Sequence, residues 1–207
     1  MAEQLSETAL LLVETQNEFM HPGGMFHEGI LAVARQNGCL TNLVELARRA
    51  RGRVLLVYAP IEFSPGHSEL ADRCGILAGV KATGALARGS FGARFFSELE
   101  PEPSDLIVSD RRGISAFHQT DLDRLLRQRG VRRLAVGGFL TNVCVESTVR
   151  SAYDYGYDII VIRDATACNS VEEQLFCETK ILPYFARLAS ANEFLMEIAR
   201  TAAPEYP

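Results

Sequence analysis

The chain has 207 residues, of which 47% are hydrophobic and 23% charged, a composition typical of one globular domain with a substantial core. Its formal net charge of −5 comes without a basic block, which argues against a phosphate-backbone partner such as DNA or RNA. No apolar stretch reaches the roughly 18 residues of a bilayer span, and "MAEQLSET" lacks the basic and apolar regions of a secretory signal. We therefore expect one cytoplasmic domain, residues 1–207, with no membrane or nucleic-acid partner.

Short apolar runs recur along the chain, with helical segments between them. Their nearly continuous Leu, Val and Ile content is typical of strands buried on both faces of a parallel sheet. The predicted strands span residues 9–14, 53–59, 105–109, 133–138 and 158–165, with a weaker sixth at 186–190. Amphipathic segments at 40–52, 120–130 and 142–156 each end in Gly, as helices commonly do. This alternation predicts an α/β sandwich with right-handed crossovers. The least regular stretch, 60–103, is predicted to be a mobile cover.

Ligands of open parallel sheets collect at the carboxyl ends of the strands, so the strand exits are the place to look for a site. The exits read "VETQNEF", "YAPIEF", "VSDRRG", "GGFLTNVC" and "RDATACN". No strand is followed by G-x-G-x-x-G, and the phosphate-loop lysine motif is absent. Nicotinamide and nucleotide chemistry are accordingly disfavoured, and we expect no cofactor.

Cysteine and histidine spacing gives no support for a metal centre. The five cysteines form an odd set with no C-x-x-C spacing, and the four histidines show none of the paired spacings of a zinc site. Cys39, Cys74, Cys168 and Cys177 are interpreted as structural residues.

The remaining cysteine, Cys144, follows the fourth predicted strand and falls in the first turn of a helix that Thr141 or Asn142 would cap. A helix N-terminus lowers a thiol pKa by roughly one unit, so a base or cation is still needed for activation. Glu14 and Arg111 leave other strands and would converge on Cys144 if those strands flank the fourth. By spacing alone, a structural cysteine, a solvated acid and a surface arginine remain open alternatives.

A resemblance to a known family places these three residues in one site. The stretches "ALLLVETQNEFMHPGG", "SDRRGISAFHQTDL" and "GGFLTNVCVESTVRSAYDYG", with the later "EEQ" helix, resemble the isochorismatase-like cysteine hydrolases over roughly residues 8–195. That superfamily includes nicotinamidases, carbamoylsarcosine amidases, ureidoacrylate and biuret hydrolases, and isochorismatases. The resemblance implies a three-layer αβα sandwich with a six-stranded, mainly parallel sheet in the order 3-2-1-4-5-6.

The resemblance also implies a catalytic acid, lysine and cysteine. The cysteine corresponds to Cys144, the acid to Glu14 where the family usually has Asp, and the lysine to Arg111, with Arg112 the near alternative. The implied oxyanion hole uses the backbone N–H groups of Cys144 and Leu140, after a non-proline cis peptide at Phe139–Leu140. Candidate substrate-binding residues are Phe19, Phe63, Arg112, His118 and Phe139.

The family branches differ in chemistry. Nicotinamidases place a metal-binding Asp-x-His after the second strand, whereas "APIEFSPGH" offers only the loose pair Glu62 and His67, so we expect no metal and doubt nicotinamide as substrate. A nucleophilic Cys144 favours hydrolysis of a C–N bond in a small amide, ureide or carbamoyl compound through a covalent intermediate.

Three alternatives to this function remain. They are vinyl-ether hydrolysis of the isochorismatase type, a non-catalytic small-molecule binder that has lost turnover through the Glu14 and Arg111 exchanges, and a thiol-redox protein, which would need a resolving cysteine. The family also implies a homo-oligomer, either a dimer or a tetramer.

Overall fold

A computed structural model describes residues 7–70 and 74–201, so most of "MAEQLSET" lies outside the described residues. Within these ranges the chain forms one six-stranded sheet in which every neighbouring pair is parallel. Its strands are β1 (Thr8–Val13), β2 (Leu55–Ala59), β3 (Leu106–Ile107), β4 (Arg133–Phe139), β5 (Asp158–Ala167) and β6 (Arg187–Ala189). The order β3-β2-β1-β4-β5-β6 confirms the expected topology.

The third strand is shorter than the predicted residues 105–109. β3 lies at the sheet edge and pairs only with Val57 and Tyr58 of β2. One further bond, from the Val108 N–H to the Tyr58 carbonyl (2.8 Å), extends the pairing, and Asp110 then turns the chain with φ 54°. An edge strand has neighbours on one side only, so its regular pairing ends early.

Eight α-helices are present in the described ranges. They are α1 (Asn17–Met20), α2 (His27–Asn37), α3 (Cys39–Ala50), α4 (Ile76–Thr83), α5 (Leu122–Gln128), α6 (Glu146–Asp154), α7 (Val171–Phe176) and α8 (Ala191–Thr201). The predicted helices α3, α5 and α6 each end two residues before the expected glycine, which adopts positive φ just beyond the helix. No helix in this part of the chain is long and apolar enough to cross a bilayer.

Helices cover both faces of the sheet. Leu10 and Leu12 of β1 face a core formed with α2, α3 and α8, whereas Leu11 and Val13 face a second core formed with α5 and α6. This alternation along a fully buried strand explains why β1 reads as an uninterrupted apolar run. The arrangement is the expected three-layer αβα sandwich.

A third, smaller apolar cluster lies at the carboxyl end of the sheet and is formed by described residues of the segment 60–103. Ile61, Phe63, Val80 and Leu86 are buried in it, with α4 as its helical part. This segment therefore covers the strand exits with apolar side chains. Its mobility stays a prediction.

Candidate active site

The structure brings Glu14, Arg111 and Cys144 together. The Arg111 Nη2 donates to the Glu14 Oε1 across 2.7 Å, and Cys144 is close enough for both side chains to influence the pKa of its thiol. We expected Glu14 and Arg111 to meet Cys144 if the strands before them both flank β4. β1 does flank β4, but β3 lies three places from it in the sheet, so the expectation was partly wrong. Arg111 reaches the site because the loop after β3 runs across the end of β2, where its Nη1 donates to the Ala59 carbonyl (2.8 Å).

Unusual backbone conformations place two of these elements. Glu14 has φ 55° directly after β1, and its N–H donates to the Ala59 carbonyl (3.2 Å). A left-handed conformation is uncommon for a residue with a side chain and is often found at functional sites. Gly138 of β4 has φ 120°, and a Cβ there would lie 1.9 Å from the Val13 carbonyl oxygen. Only glycine therefore lets β4 approach β1 this closely just before the cysteine loop.

Arg111 is held rigidly below the site. Its side chain is buried, the Nε donates to the Gly113 carbonyl (3.1 Å), and the Nη2 donates to the Ile114 carbonyl (2.6 Å) as well as to Glu14. A planar guanidinium suits such divergent acceptors better than an ammonium group. Arg111 therefore orients the Glu14 carboxylate. The alternative, Arg112, is 47% exposed and lies 3.8 Å from Glu69, outside this cluster.

The surroundings of Cys144 oppose the expected lowering of its pKa by the helix terminus. Burial in an apolar site raises the pKa well above its ordinary value, and the negative charge of Glu14 raises it further, while Arg111 acts in the opposite direction. The helix-terminus effect is small compared with desolvation of a thiolate. Burial therefore favours the neutral thiol of Cys144 over the thiolate.

The cysteine loop starts differently from the predicted cap. The Phe139–Leu140 peptide is cis, as the resemblance implies, and a π-type turn (Thr141–Val145) leads into α6. Leu140 occupies the N-cap position, with its carbonyl accepting from the Val143 and Val145 N–H groups (both 3.1 Å). Capping by Thr141 or Asn142 was therefore a wrong prediction. The Thr141 hydroxyl instead donates to the Gln174 Oε1 (2.8 Å).

Gln174 supports the cysteine loop from α7, a role that sequence reasoning missed. Its Oε1 also accepts from the Cys168 N–H (3.0 Å), and its Nε2 donates to the Glu178 Oε1 (2.6 Å) and the Thr166 hydroxyl (3.3 Å). These contacts join β5, α7 and the cysteine loop. The only signal in the sequence was a polar residue in the quoted "EEQ" motif, and its spacing does not reveal its partners.

Gln16 and Glu18, which follow Glu14 in "ETQNEF", shape the covering segment and were also missed. The Gln16 amide accepts from the Ile61 N–H (2.9 Å) and donates to the Ile61 carbonyl (3.0 Å). The buried Glu18 carboxylate accepts from the N–H groups of Leu86 (3.1 Å) and Met25 (3.0 Å). These side chains therefore fix the residues that wall the site.

A cavity of about 440 Å³ opens above Cys144 and Glu14. Phe19, Phe63 and Leu140 line it, so the structure places these predicted residues at the site. Three candidates lie elsewhere. Phe139 is in the core, stacked on Phe19 at a ring distance of 5.3 Å, because it faces inward from the end of β4. Arg112 and His118 line a separate depression beside the cavity, because the chain after Arg111 turns toward solvent.

Three of the other four cysteines are buried, and both members of the loose metal pair, Glu62 and His67, bond to other groups of the protein. Cys39, Cys168 and Cys177 are buried, in keeping with a structural role, whereas Cys74 is exposed, so burial does not support the structural interpretation for it. His67 bonds to the Ala85 carbonyl through Nε2 (2.7 Å), and Glu62 accepts from Arg88 (2.9 Å). Within residues 7–70 and 74–201, no group of three or more His, Cys, Asp or Glu side chains is arranged to hold a metal ion.

A doubly covered parallel sheet with an acid, a cation and a cysteine at its strand exits defines a class of hydrolase. The family model described as the isochorismatase domain matches residues 8–193, and the chain therefore belongs to the isochorismatase family of hydrolases.

Its relatives include ureidoacrylate amidohydrolases called RutB. The protein from Variovorax paradoxus is 27% identical over 98% of this chain and 86% of its own length. The protein from Rhizobium rhizogenes is 29% identical over 97% of this chain and 87% of its own length.

Solved structures of other proteins share this fold. A cysteine hydrolase from Pseudomonas syringae pv. phaseolicola is 26% identical, with a TM-score of 0.76 over 97% of this chain and 99% of that one. N-carbamoylsarcosine amidase from Thermoplasma acidophilum is 24% identical, with a TM-score of 0.66 over 90% and 98%, and shares the fold.

Proposed function

We propose that this protein hydrolyses a C–N bond of a small amide, ureide or carbamoyl compound through a covalent intermediate on Cys144. The observation that carries the proposal is the cluster of the Cys144 thiol, the Glu14 carboxylate and the Arg111 guanidinium at the floor of the cavity. The names of the RutB relatives and of the cysteine hydrolase from Pseudomonas syringae support the same chemistry.

In the first half-reaction, Glu14 takes the thiol proton as the Cys144 sulfur attacks the carbonyl carbon. Transfer coupled to attack suits a thiol whose pKa is raised by burial, because a free thiolate does not have to form beforehand. The oxyanion accepts hydrogen bonds from the backbone N–H groups of Leu140 and Cys144. Collapse breaks the C–N bond, and Glu14 returns its proton to the leaving nitrogen.

In the second half-reaction, Glu14 removes a proton from water, which attacks the thioester or thiocarbamate carbon. The C–S bond breaks, the acid product leaves, and the proton held by Glu14 returns to Cys144. Throughout the cycle Arg111 keeps its charge, because a guanidinium stays protonated over the accessible pH range. It holds the Glu14 carboxylate in place and offsets its charge.

The test is turnover of a panel of primary amides, ureides and carbamoyl compounds, with intact-mass spectrometry of quenched reactions. We expect release of ammonia or amine and an acyl or carbamoyl adduct that maps to Cys144. Cys144→Ala should lower kcat/KM by a factor of about 1,000 or more and abolish the adduct. Cys74→Ala, which removes an exposed thiol, is the matched control and should keep the wild-type rate.

Other outcomes favour the alternatives. A vinyl ether hydrolysed at the same rate by the wild type and by Cys144→Ala would indicate protonation by Glu14 without a nucleophile. Binding of these compounds without turnover or adduct would indicate a non-catalytic binder.

We also propose that the chain forms a homo-oligomer, a dimer or a tetramer. Size-exclusion chromatography with light scattering tests this, and a monomer over the working concentration range would refute it.

A further inference from the structure

The cavity above Cys144 is apolar almost throughout. Its buried walls come from Phe19, Ile61, Phe63, Val80 and Leu86. Among the lining residues that the structure describes, carboxylate and thiol groups are found only at the floor, where Glu14 and Cys144 lie. A ligand there places its reacting group against polar atoms and the rest of its surface against hydrocarbon.

Two polar side chains, Thr83 and Asn169, also line the cavity, and both are exposed at its mouth. The Thr83 hydroxyl is already used within α4, where it donates to the Gly79 and Val80 carbonyls (both 3.1 Å). Neither residue is charged. Beyond the reacting group, the described residues at the mouth therefore offer no ion-pair partner.

None of the side chains lining the cavity among the described residues is Lys, Arg or His. The cation below it, Arg111, directs its hydrogen bonds to three backbone carbonyls and Glu14. Arg112 lines the neighbouring depression and lies near Glu69 (3.8 Å) and Asp110 (4.0 Å). An anionic group on a ligand would thus lose its water without gaining a cation, and Glu14 would repel it.

The apolar walls are fixed before a ligand arrives. Gln16 binds both backbone groups of Ile61, and Glu18 binds the N–H of Leu86. Walls held by buried hydrogen bonds cannot easily move aside to admit water to a charged ligand group. The cavity therefore selects for hydrocarbon.

We infer that the substrate is a neutral amide or ureide with an aliphatic or aryl substituent, and that a carboxylate on that substituent is rejected. This inference rests on the proposed function, because it describes what surrounds the bond that Cys144 attacks. Rejection of that carboxylate would distinguish this protein from an enzyme whose substrates are amides that carry a carboxylate. Each further methylene that enters the cavity should raise kcat/KM about fourfold until the cavity is full.

Isosteric pairs provide the test, since an isopropyl group and a carboxylate have nearly the same shape. The pairs are 4-methylpentanamide with succinamate, and N-isobutylurea with N-carbamoylglycine. Binding is measured by NMR titration of the Cys144→Ala variant, and kcat/KM is measured with the wild type. We expect the neutral member of each pair to bind more tightly by on the order of 100-fold and to be the better substrate by the same factor.

Placing a cation in the wall should weaken the preference for the neutral member of each pair. Leu77 of α4 is half-buried and lines the cavity. In Leu77→Arg the ratio of neutral to carboxylate binding should fall at least about tenfold. Leu77→Gln is the matched control and should keep the wild-type ratio, because it adds polarity without charge.

Binding and turnover separate the two proposals. Carboxylate members that bind as tightly as their neutral partners, or a lack of binding by all four compounds, would overturn the inference whatever the catalytic result. Selective binding of the neutral members without turnover would support the inference while refuting the proposed hydrolysis.

Discussion

Arg111 and Glu14, 97 positions apart in the chain, form a buried ion pair with 2.7 Å between Nη2 and Oε1. The resemblance implies Lys and Asp at these positions. Glu14 adds one methylene to the acid, and the guanidinium of Arg111 spreads its donors over the Ala59, Gly113 and Ile114 carbonyls. The two exchanges therefore act together, since a longer acid is held by a cation with more donors.

Arg111→Lys should destabilise the protein although the charge is retained. An ammonium has three donors and cannot supply the four hydrogen bonds that Arg111 makes. We expect the free energy of unfolding in urea to fall by about 1–3 kcal/mol, the cost of leaving a buried acceptor unsatisfied. Displacement of Glu14 should also lower kcat/KM by about tenfold or more.

Arg112→Lys is the matched control for this change. Arg112 is 47% exposed, and its nearest carboxylate is 3.8 Å away, so we expect a change within about 0.5 kcal/mol. Equal effects of the two substitutions would contradict the structural role of Arg111.

Much of the fold could be predicted from the sequence, because strands that are buried on both faces have nearly continuous apolar sequences. β1 and β4 read as continuous apolar runs, and their order follows once the family is recognised. The length of β3 could not be predicted, because the sequence does not show that regular pairing with its single neighbour ends at Ile107, one residue before the apolar Val108. Edge position is a property of the assembled sheet.

Gly138→Ala should be strongly destabilising. A Cβ at this position would lie 1.9 Å from the Val13 carbonyl oxygen, and the backbone has φ 120°. We expect a loss of at least about 3 kcal/mol in unfolding free energy, or failure to fold. Gly130→Ala separates the two causes, because Gly130 has φ 70° with nothing within 4 Å of the added Cβ. It should cost only about 1 kcal/mol, and an equal cost for the two variants would refute the steric explanation.

The candidate site could be predicted only in part. Glu14, Arg111 and Cys144 became candidates because each follows a predicted strand, and the family resemblance then assigned them to one site. Gln174 was not found, because its partners come from β5, α7 and the cysteine loop, and no local spacing encodes such a meeting. Phe139 was misplaced because strand alternation does not say which face opens into a cavity.

Gln174→Met should loosen the cysteine loop. It leaves the Thr141 hydroxyl and the Cys168 N–H without their acceptor. We expect unfolding free energy to fall by about 1–3 kcal/mol and kcat to fall about tenfold, with a smaller change in KM, because the nucleophile is displaced and the cavity walls are not. Gln128→Met, on the exposed side of α5, is the control and should alter neither quantity. A loss of stability with unchanged kcat would show that Gln174 supports the fold alone.

The reactivity of Cys144 decides between the two accounts of its pKa. The helix terminus together with the Arg111 charge favours a thiolate near neutral pH, whereas burial and the Glu14 charge raise the pKa. Alkylation by limiting iodoacetamide, measured from pH 6 to 10 in a Cys74→Ala background, should therefore be slow at pH 7. It should still be rising above the roughly 8.5 of an ordinary thiol.

Glu14→Gln removes the negative charge beside the thiol, so the alkylation profile should move to lower pH while turnover is lost. Glu62→Gln removes an acid that pairs with Arg88 instead, and it should leave the profile unchanged. Rapid modification of Cys144 at pH 7 in the wild type would show that the free protein already holds a thiolate. Glu14 would then hold the thiol proton before attack, give it to the leaving nitrogen, and act afterwards as the base toward water.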